Sequence, residues 1–434
     1  MRLTLLARRV SGPLPYGRGS VTPSAVASSA VAPSAVASSS VVILAAVSAA
    51  LCAQTFQQRG HVDLRTSLFP RAGANDSGRM IADALLRYEV SAKLTPWLKL
   101  NGAIDARTDT HRQTERSLRL DWQDRGFLRP ALSFRRFSAT AFKGPVTFEI
   151  GKQFIRWGKA DILNPLDRFA PRDFLNVIDN EFLGVMAARL TVEKGPHTID
   201  IVLQPRFTPS RTPLLNQRWV VLPASLAVSQ GAPQLPGGGQ TGVRWNYLGN
   251  GYEMALAFYE GHNHLPQVDG RLLGDRIEVF NRFAKMRMFG GAGAVPLPWF
   301  TVKGEGAYFA TADNYLLYVI QLERTIGEWT LVGGYSGEYV TEKKTERNFA
   351  PDRGLAKAFL LRAAYAIDTN RAIAGEAAIR QSGDGAWVKG EYTQTLSTHW
   401  QARASLTLIR GGANDFLGQY RRNSHAILAL RYSF

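Results

Sequence analysis

The sequence predicts an all-β chain: a transmembrane antiparallel barrel of about 18 strands, within a range of about 14 to 18, with short periplasmic turns and long outer loops. Three observations carry that prediction. Apolar and polar residues alternate with period two over stretches of about ten residues, the length of a tilted membrane-crossing strand. The connections alternate between short and long. The chain also ends on an alternating, aromatic-terminated strand, HAILALRYSF, residues 425–434.

The alternation is sharpest in RYEVSAKL (87–94), LKLNGAIDAR (98–107), FTVKGEGAYF (300–309) and WQARASLTLI (400–409). In each, charged residues share one parity and apolar residues the other, a sorting that a 3.6-residue helical period does not produce. Short turns are expected at Thr95-Pro96, Lys143-Gly144-Pro145, Lys194-Gly195-Pro196, Gly249-Asn250, Pro296-Leu297-Pro298, Ile326-Gly327-Glu328, Asp368-Thr369-Asn370 and Ser397-Thr398-His399, all built from turn-forming residues. Long gaps fall at roughly 108–130, 157–183, 205–239, 260–276, 341–356 and 411–423, with short exceptions at 310–313 and 381–385. The first strand is expected near 61–69 and the last at 425–434. SLRLDW (117–122) alternates too, but as a strand it would break the parity of the count, so it is assigned to an outer loop. Trp97, Trp299, Trp329 and Trp400 follow short turns, where an interfacial aromatic girdle belongs.

Composition agrees with this frame. The 434 residues are 45% hydrophobic and 20% charged. A mean hydropathy of -0.13 is what alternating faces produce when averaged. No stretch approaches the length of an apolar helical span, so only a barrel crosses a bilayer with this sequence. Residues 1–53 read as a leader: Arg8 and Arg9, a low-complexity PSAVASS repeat at 23–29 and 33–39, and the apolar run 41–53 ending before Gln54. Cleavage after Ala53 would remove Cys52, the chain's one cysteine, and lower the net charge from +17 to +13. Residues 54–434 then form one barrel, exported to the bacterial outer membrane.

The most distinctive stretch is GKQFIRWGKADILNPLDRFAPRDF, 151–174. Alternation stops at Arg156, prolines follow at 165 and 171, and charges crowd together. Arg156, Trp157, Lys159, Asp161, Asn164, Asp167, Arg168, Arg172 and Asp173 are the candidates for a pore constriction. The physical expectation is a loop, 157–183, that folds back into a water-filled lumen. There it either sets the pore's field or serves only to anchor itself to the wall. Strand parity points Arg87, Glu89, Lys93, Lys99, Asp105, Arg107, Lys303, Glu305, Lys389, Glu391 and Arg403 into that lumen, a set that leans positive. Further cations, Arg206, Arg211, Arg218, Lys343, Lys344 and Arg347, are expected on outer loops facing anionic lipopolysaccharide.

The stretch resembles a pattern in poorly characterised families of Gram-negative outer-membrane porin-like proteins, G-[KR]-Q-x-x-x-W-G-x-x-D-x-x-N-P-x-D. It matches at Gly151, Lys152, Gln153, Trp157, Gly158, Asp161, Asn164, Pro165 and Asp167. The resemblance implies a channel for small hydrophilic solutes and carries no catalytic residues. The terminal Tyr432-x-Phe434 resembles the C-terminal signature read by the barrel-assembly machinery. An alternative reading is a structural or export-associated barrel working with periplasmic partners. A hydrolase is disfavoured: there is no Gly-x-Ser-x-Gly elbow, and His425 reads as structural. His262 and His264 lack supporting ligands and read as part of a solvated loop, so no metal or cofactor is expected. No basic, aromatic module for nucleic acid is present, and nothing in the sequence sets an oligomeric state.

Overall fold

The computed structural model describes residues 55–161, 163–221, 227–343 and 353–434. The leader expectations, and those for Lys344 and Arg347, lie outside the described residues. Eighteen antiparallel strands form the barrel. They are β1 Thr55–Leu68, β2 Met80–Thr95, β3 Leu98–Asp109, β4 Leu132–Lys143, β5 Val146–Gln153 and β6 Val185–Lys194. Next come β7 His197–Gln204, β8 Gln240–Gly249, β9 Tyr252–His262, β10 Lys285–Pro296, β11 Thr301–Ala310 and β12 Asn314–Ile326. The last six are β13 Trp329–Glu342, β14 Ala358–Ala366, β15 Arg371–Arg380, β16 Gly385–Thr395, β17 Trp400–Gly411 and β18 His425–Ser433.

Closure comes from β18 pairing with β1, from His61 opposite Ser433 to Leu68 opposite Ala426. Phe434 extends the seam: its N–H donates to the Gly60 carbonyl at 2.9 Å, and Gly60 returns the bond at 2.8 Å. The Phe434 ring lies over Gly60, where a Cβ would collide with it. The last strand is half of the closing seam, which leaves no free sheet edge.

All the expected short turns join strand pairs at one end of the barrel. Gly144, Gly195, Gly251 and Gly327 take positive φ there, as tight turns require. The outer face carries the apolar parity, with Leu406 and Leu428 both more than half exposed. Trp97 and Trp299 break strand parity because they sit in the turns themselves, exposed like Trp329 and Trp400 on their strands. An apolar outer face around a closed, edgeless sheet is the architecture of a membrane-spanning barrel.

Two expectations are corrected. The first strand begins at Thr55, six residues ahead of the expected start, and runs the full length of β2. Residues 276–282 are not part of a wall strand. They alternate because they pair with Gln267–Leu273 in a separate hairpin within the long loop, and β10 begins only at Lys285. In SLRLDW only Leu120–Asp121 is strand, paired parallel to the start of β4.

Candidate functional site

The connection between β5 and β6, residues 154–184, folds into the barrel and docks on the inner wall. The wall is shaped to receive it. Ile155, Trp157, Leu166 and Phe169 are almost fully buried, in one apolar cluster with Val185, Val202, Tyr259, Met286, Met288 and Phe309 of strands β6 to β11. Glycines make the holes. A Cβ on Gly242 of β8 would meet Trp157 at 2.7 Å and Phe169 at 2.8 Å, and one on Gly290 of β10 would strike Leu166.

Polar groups fix the segment's register. Asp167 accepts the N–H groups of Trp157 and Gly158, each at 2.7 Å, closing the segment on itself. Gly158 must be glycine because a Cβ would lie 2.6 Å from that of Asn164, whose side-chain amide donates to the Ala160 carbonyl. The Trp157 indole N–H donates to Asp200 of β7 at 2.9 Å, and Arg189 of β6 grips the same carboxylate at 2.7 and 2.8 Å. Glu305 of β11 accepts three backbone N–H groups of the segment: Lys159 at 2.9 Å, Ala160 at 3.3 Å and Leu166 at 2.7 Å. Asp161 is held by Gln321 and lies 3.6 Å from Lys303, while the Lys159 ammonium pairs with Glu253. Arg156 remains half exposed, 3.3 Å from Asp167, and Arg168 lies over the Phe309 ring at 5.1 Å.

The second half of the segment enters a charge network. Arg172 stacks on Phe182 at 4.2 Å, and burial lowers its guanidinium to about 10, so it stays charged at neutral pH. Asp173 takes two nitrogens of Arg129, at 2.9 and 3.0 Å, and Arg211 at 3.2 Å. Asp124 takes Arg211 at 2.6 Å and Lys152 at 2.5 Å. Burial alone would raise the Asp124 carboxyl, but Arg211 and Lys152 hold it at about 2. Glu181 meets Arg107 at 2.9 Å and Arg135 at 3.1 Å, and Asp105 meets Arg87 at 2.7 Å. Against its burial, these arginines hold the Glu181 carboxyl well below the usual range. Asp179 reaches across to Lys389 of β16 at 2.6 Å and lies 3.5 Å from His425 of β18. A separate cluster covers the far wall, where Trp219, Leu417 and Tyr420 from two other long loops pack on Leu360, Trp387 and Ile409.

The parity-derived lumen residues therefore divide. Arg87, Asp105, Arg107, Lys303, Glu305 and Lys389 bind the inward segment or each other. Glu89 pairs with Arg59, and Glu391 lies 3.5 Å from Lys389. Lys93 and Lys99 stand opposite each other on β2 and β3 and, like Arg403, have no ion-pair partner among the described residues. Two readings change. Arg211 and Arg218 are not outer-loop surface charges: they are 4% and 2% exposed, because their loop also folds inward. His264 is buried rather than solvated, its two ring nitrogens 2.6 Å from the Thr208 carbonyl and 2.8 Å from that of Arg168.

No protein-family model and no curated protein sequence matches the chain. Among solved structures it is similar to Pseudomonas aeruginosa OccK9 (OpdG), with a TM-score of 0.54 and 11% identity over 88% of this chain and 98% of that one. Pseudomonas aeruginosa OccK3 (OpdO) follows, with a TM-score of 0.50 and 10% identity over 87% of this chain and 96% of that one. A BenF-like porin from Pseudomonas fluorescens has a TM-score of 0.49 and 11% identity over 87% and 98%. The first two share the barrel fold with this chain.

Proposed function

We propose that the protein is an outer-membrane porin-like channel for passive or substrate-biased passage of small hydrophilic solutes, with a preference for anions. The observation that carries this is the combination of a closed barrel, apolar outside, with a loop packed into its lumen. Such a loop narrows a barrel rather than filling a core, and the fixed charges beside it set the field a solute crosses. Lys93, Lys99 and Arg403, on the lumen parity, have no carboxylate partner among the described residues, which tilts that field positive. Asp161 and Asp167 serve the same channel indirectly, by holding the segment against the wall, and Arg156 is the motif cation most available to a passing solute. The chain reaches the outer membrane through its leader and the barrel-assembly machinery, with Tyr432 and Phe434 at the seam as the assembly signal.

A second reading, a structural or export-associated barrel, is favoured by the long loops packed on both sides of the lumen. Proteoliposome swelling separates the two. The channel reading expects swelling in small neutral and anionic solutes, faster for an anion than for a cation of equal size. Correctly inserted protein that passes no solute would leave the structural reading in its place.

A further inference from the structure

The rim at the long-loop end carries arginines that have no carboxylate partner among the described residues. Several exposed cations of this rim are paired: Arg287 with Glu260 at 3.1 Å, Arg282 with Asp269 at 2.9 Å and Arg271 with Glu278 at 2.7 Å. In the loop between β3 and β4, by contrast, Arg119 and Arg125 have no carboxylate partner among the described residues, and the Arg125 Nε is buried without a hydrogen bond. Arg206, just past the end of β7, stacks at 5.6 Å on Trp122 and has no carboxylate partner among the described residues. Burial first, and the like charge of Arg206 second, lower the Arg125 guanidinium from its usual value. The loop's acids do not relieve this. Asp121 accepts backbone N–H groups from Gln123 and Asp124, Asp124 is taken by Lys152 and Arg211, and Glu115 lies against Gly126.

The same segment is apolar where it meets the barrel's outer face. Leu120 runs beside Leu132 at the start of β4, and the next outward position, Phe134, lies opposite the exposed Ile104. Leu118 is 85% exposed, more than any other large apolar side chain among the described residues, and Trp122, four residues on, is exposed too. Exposed leucines, an interfacial tryptophan and unpaired arginines, continuous with a lipid-facing wall, match a phosphorylated amphiphile. Guanidinium groups bind phosphate as paired donors, and the outer leaflet is where this rim lies if the barrel spans the outer membrane as proposed above.

We propose that this rim patch seats a phosphorylated glycolipid of the outer leaflet, with Arg125 and Arg206 on its phosphate and Leu118, Leu120 and Trp122 against its acyl chains. The inference rests on the outer-membrane reading but not on conduction.

The test uses the full-length protein, purified folded in a non-ionic detergent and titrated with diphosphorylated lipid A. The double variant Arg125→Gln/Arg206→Gln is expected to bind it at least about tenfold more weakly, the loss of two charge-assisted contacts. Arg271→Gln, on a different loop, is expected to bind like the wild type. Equal binding by the double variant overturns the proposal, as does equal binding of lipid A stripped of its phosphates. Displacement of lipid A by inorganic phosphate at matched concentration also overturns it, because the occupant is then a free anion. Heat-modifiable electrophoretic mobility verifies that each variant is folded. If the double variant is not, Arg206→Gln alone, at an exposed side chain, carries the same comparison. Conductance is expected to be unchanged in these variants, so failure here and failure of the channel reading are separately visible.

Discussion

Leu166 and Gly290 form a knob and hole whose fit can be measured. Leu166 is fully buried between the inward segment and the wall, and Gly290 is the place on β10 where its Cδ2 rests. Leu166→Ala removes a buried side chain at a cost of roughly 2–5 kcal/mol where the site does not collapse. Gly290→Ala forces a Cβ into Leu166 and to 2.8 Å from the Gly306 carbonyl, an overpacking cost of roughly 1–3 kcal/mol. In the double variant the new methyl enters the space the leucine left, so the two costs do not add. The Gly306 contact remains, so rescue is partial, and a coupling of about 1 kcal/mol is expected. The readout is hydrogen exchange of the Trp157 and Gly158 amides, which Asp167 holds in the docked state. A loss of about 2 kcal/mol in docking raises their exchange about 30-fold. Exchange unchanged by Leu166→Ala, or strictly additive effects in the cycle, would refute the idea that this contact holds the segment.

Glu305→Gln replaces the carboxylate that accepts three segment amides, at about 1.5–3 kcal/mol for a charged hydrogen-bond acceptor, and should raise exchange at Lys159 and Leu166 and add current noise in single-channel records. Leu406→Arg on the lipid face should destabilise by about 2–4 kcal/mol in heat-modifiability melts, whereas Gln401→Arg on the lumen parity of the same strand should cost far less; equal costs would mean the faces are exchanged. Ser405 is too well covered, at 9% exposed, to serve as that water-facing control. Asp124 has its carboxyl lowered from 3.8 to about 2, so the stability it gives the Lys152 and Arg211 anchor is complete above about pH 4 and lost as pH falls toward 2. Segment exchange, corrected for intrinsic rates, should therefore stay flat from pH 7 to about 5 and rise below about 4, and Asp124→Asn should reduce that rise to the part that Asp173, Asp179 and Glu181 contribute.

The frame of the barrel was legible because lipid and water sort residues with the period of the strand. The turns at Gly144, Gly195 and Gly327, the faces of Leu406 and Leu428 and the seam at Phe434 all follow from that local signal. The inward segment was legible only as a break in the alternation. Its receivers were not, because nothing local connects Trp157 to Asp200, Leu166 to Gly290 or Lys159 to Glu305. Parity gave Glu305 a face and no partner. Gly242 and Gly290 are holes cut for a distant loop, and no local pattern marks them as such. Arg211 and Arg218 read as surface charge for the same reason: a basic loop residue looks alike outside a barrel and folded into one. The hairpin at 267–282 alternates as well as any wall strand, and only its partner distinguishes it.

Single-channel recording in a planar bilayer under a salt gradient decides whether the barrel conducts and which ions it favours. An anion-preferring channel gives discrete conducting levels with a reversal potential on the anion side, shifted toward cations when Lys93, Lys99 and Arg403 are replaced by glutamine. Wild-type protein that inserts, runs heat-modifiably and never conducts would contradict the channel reading.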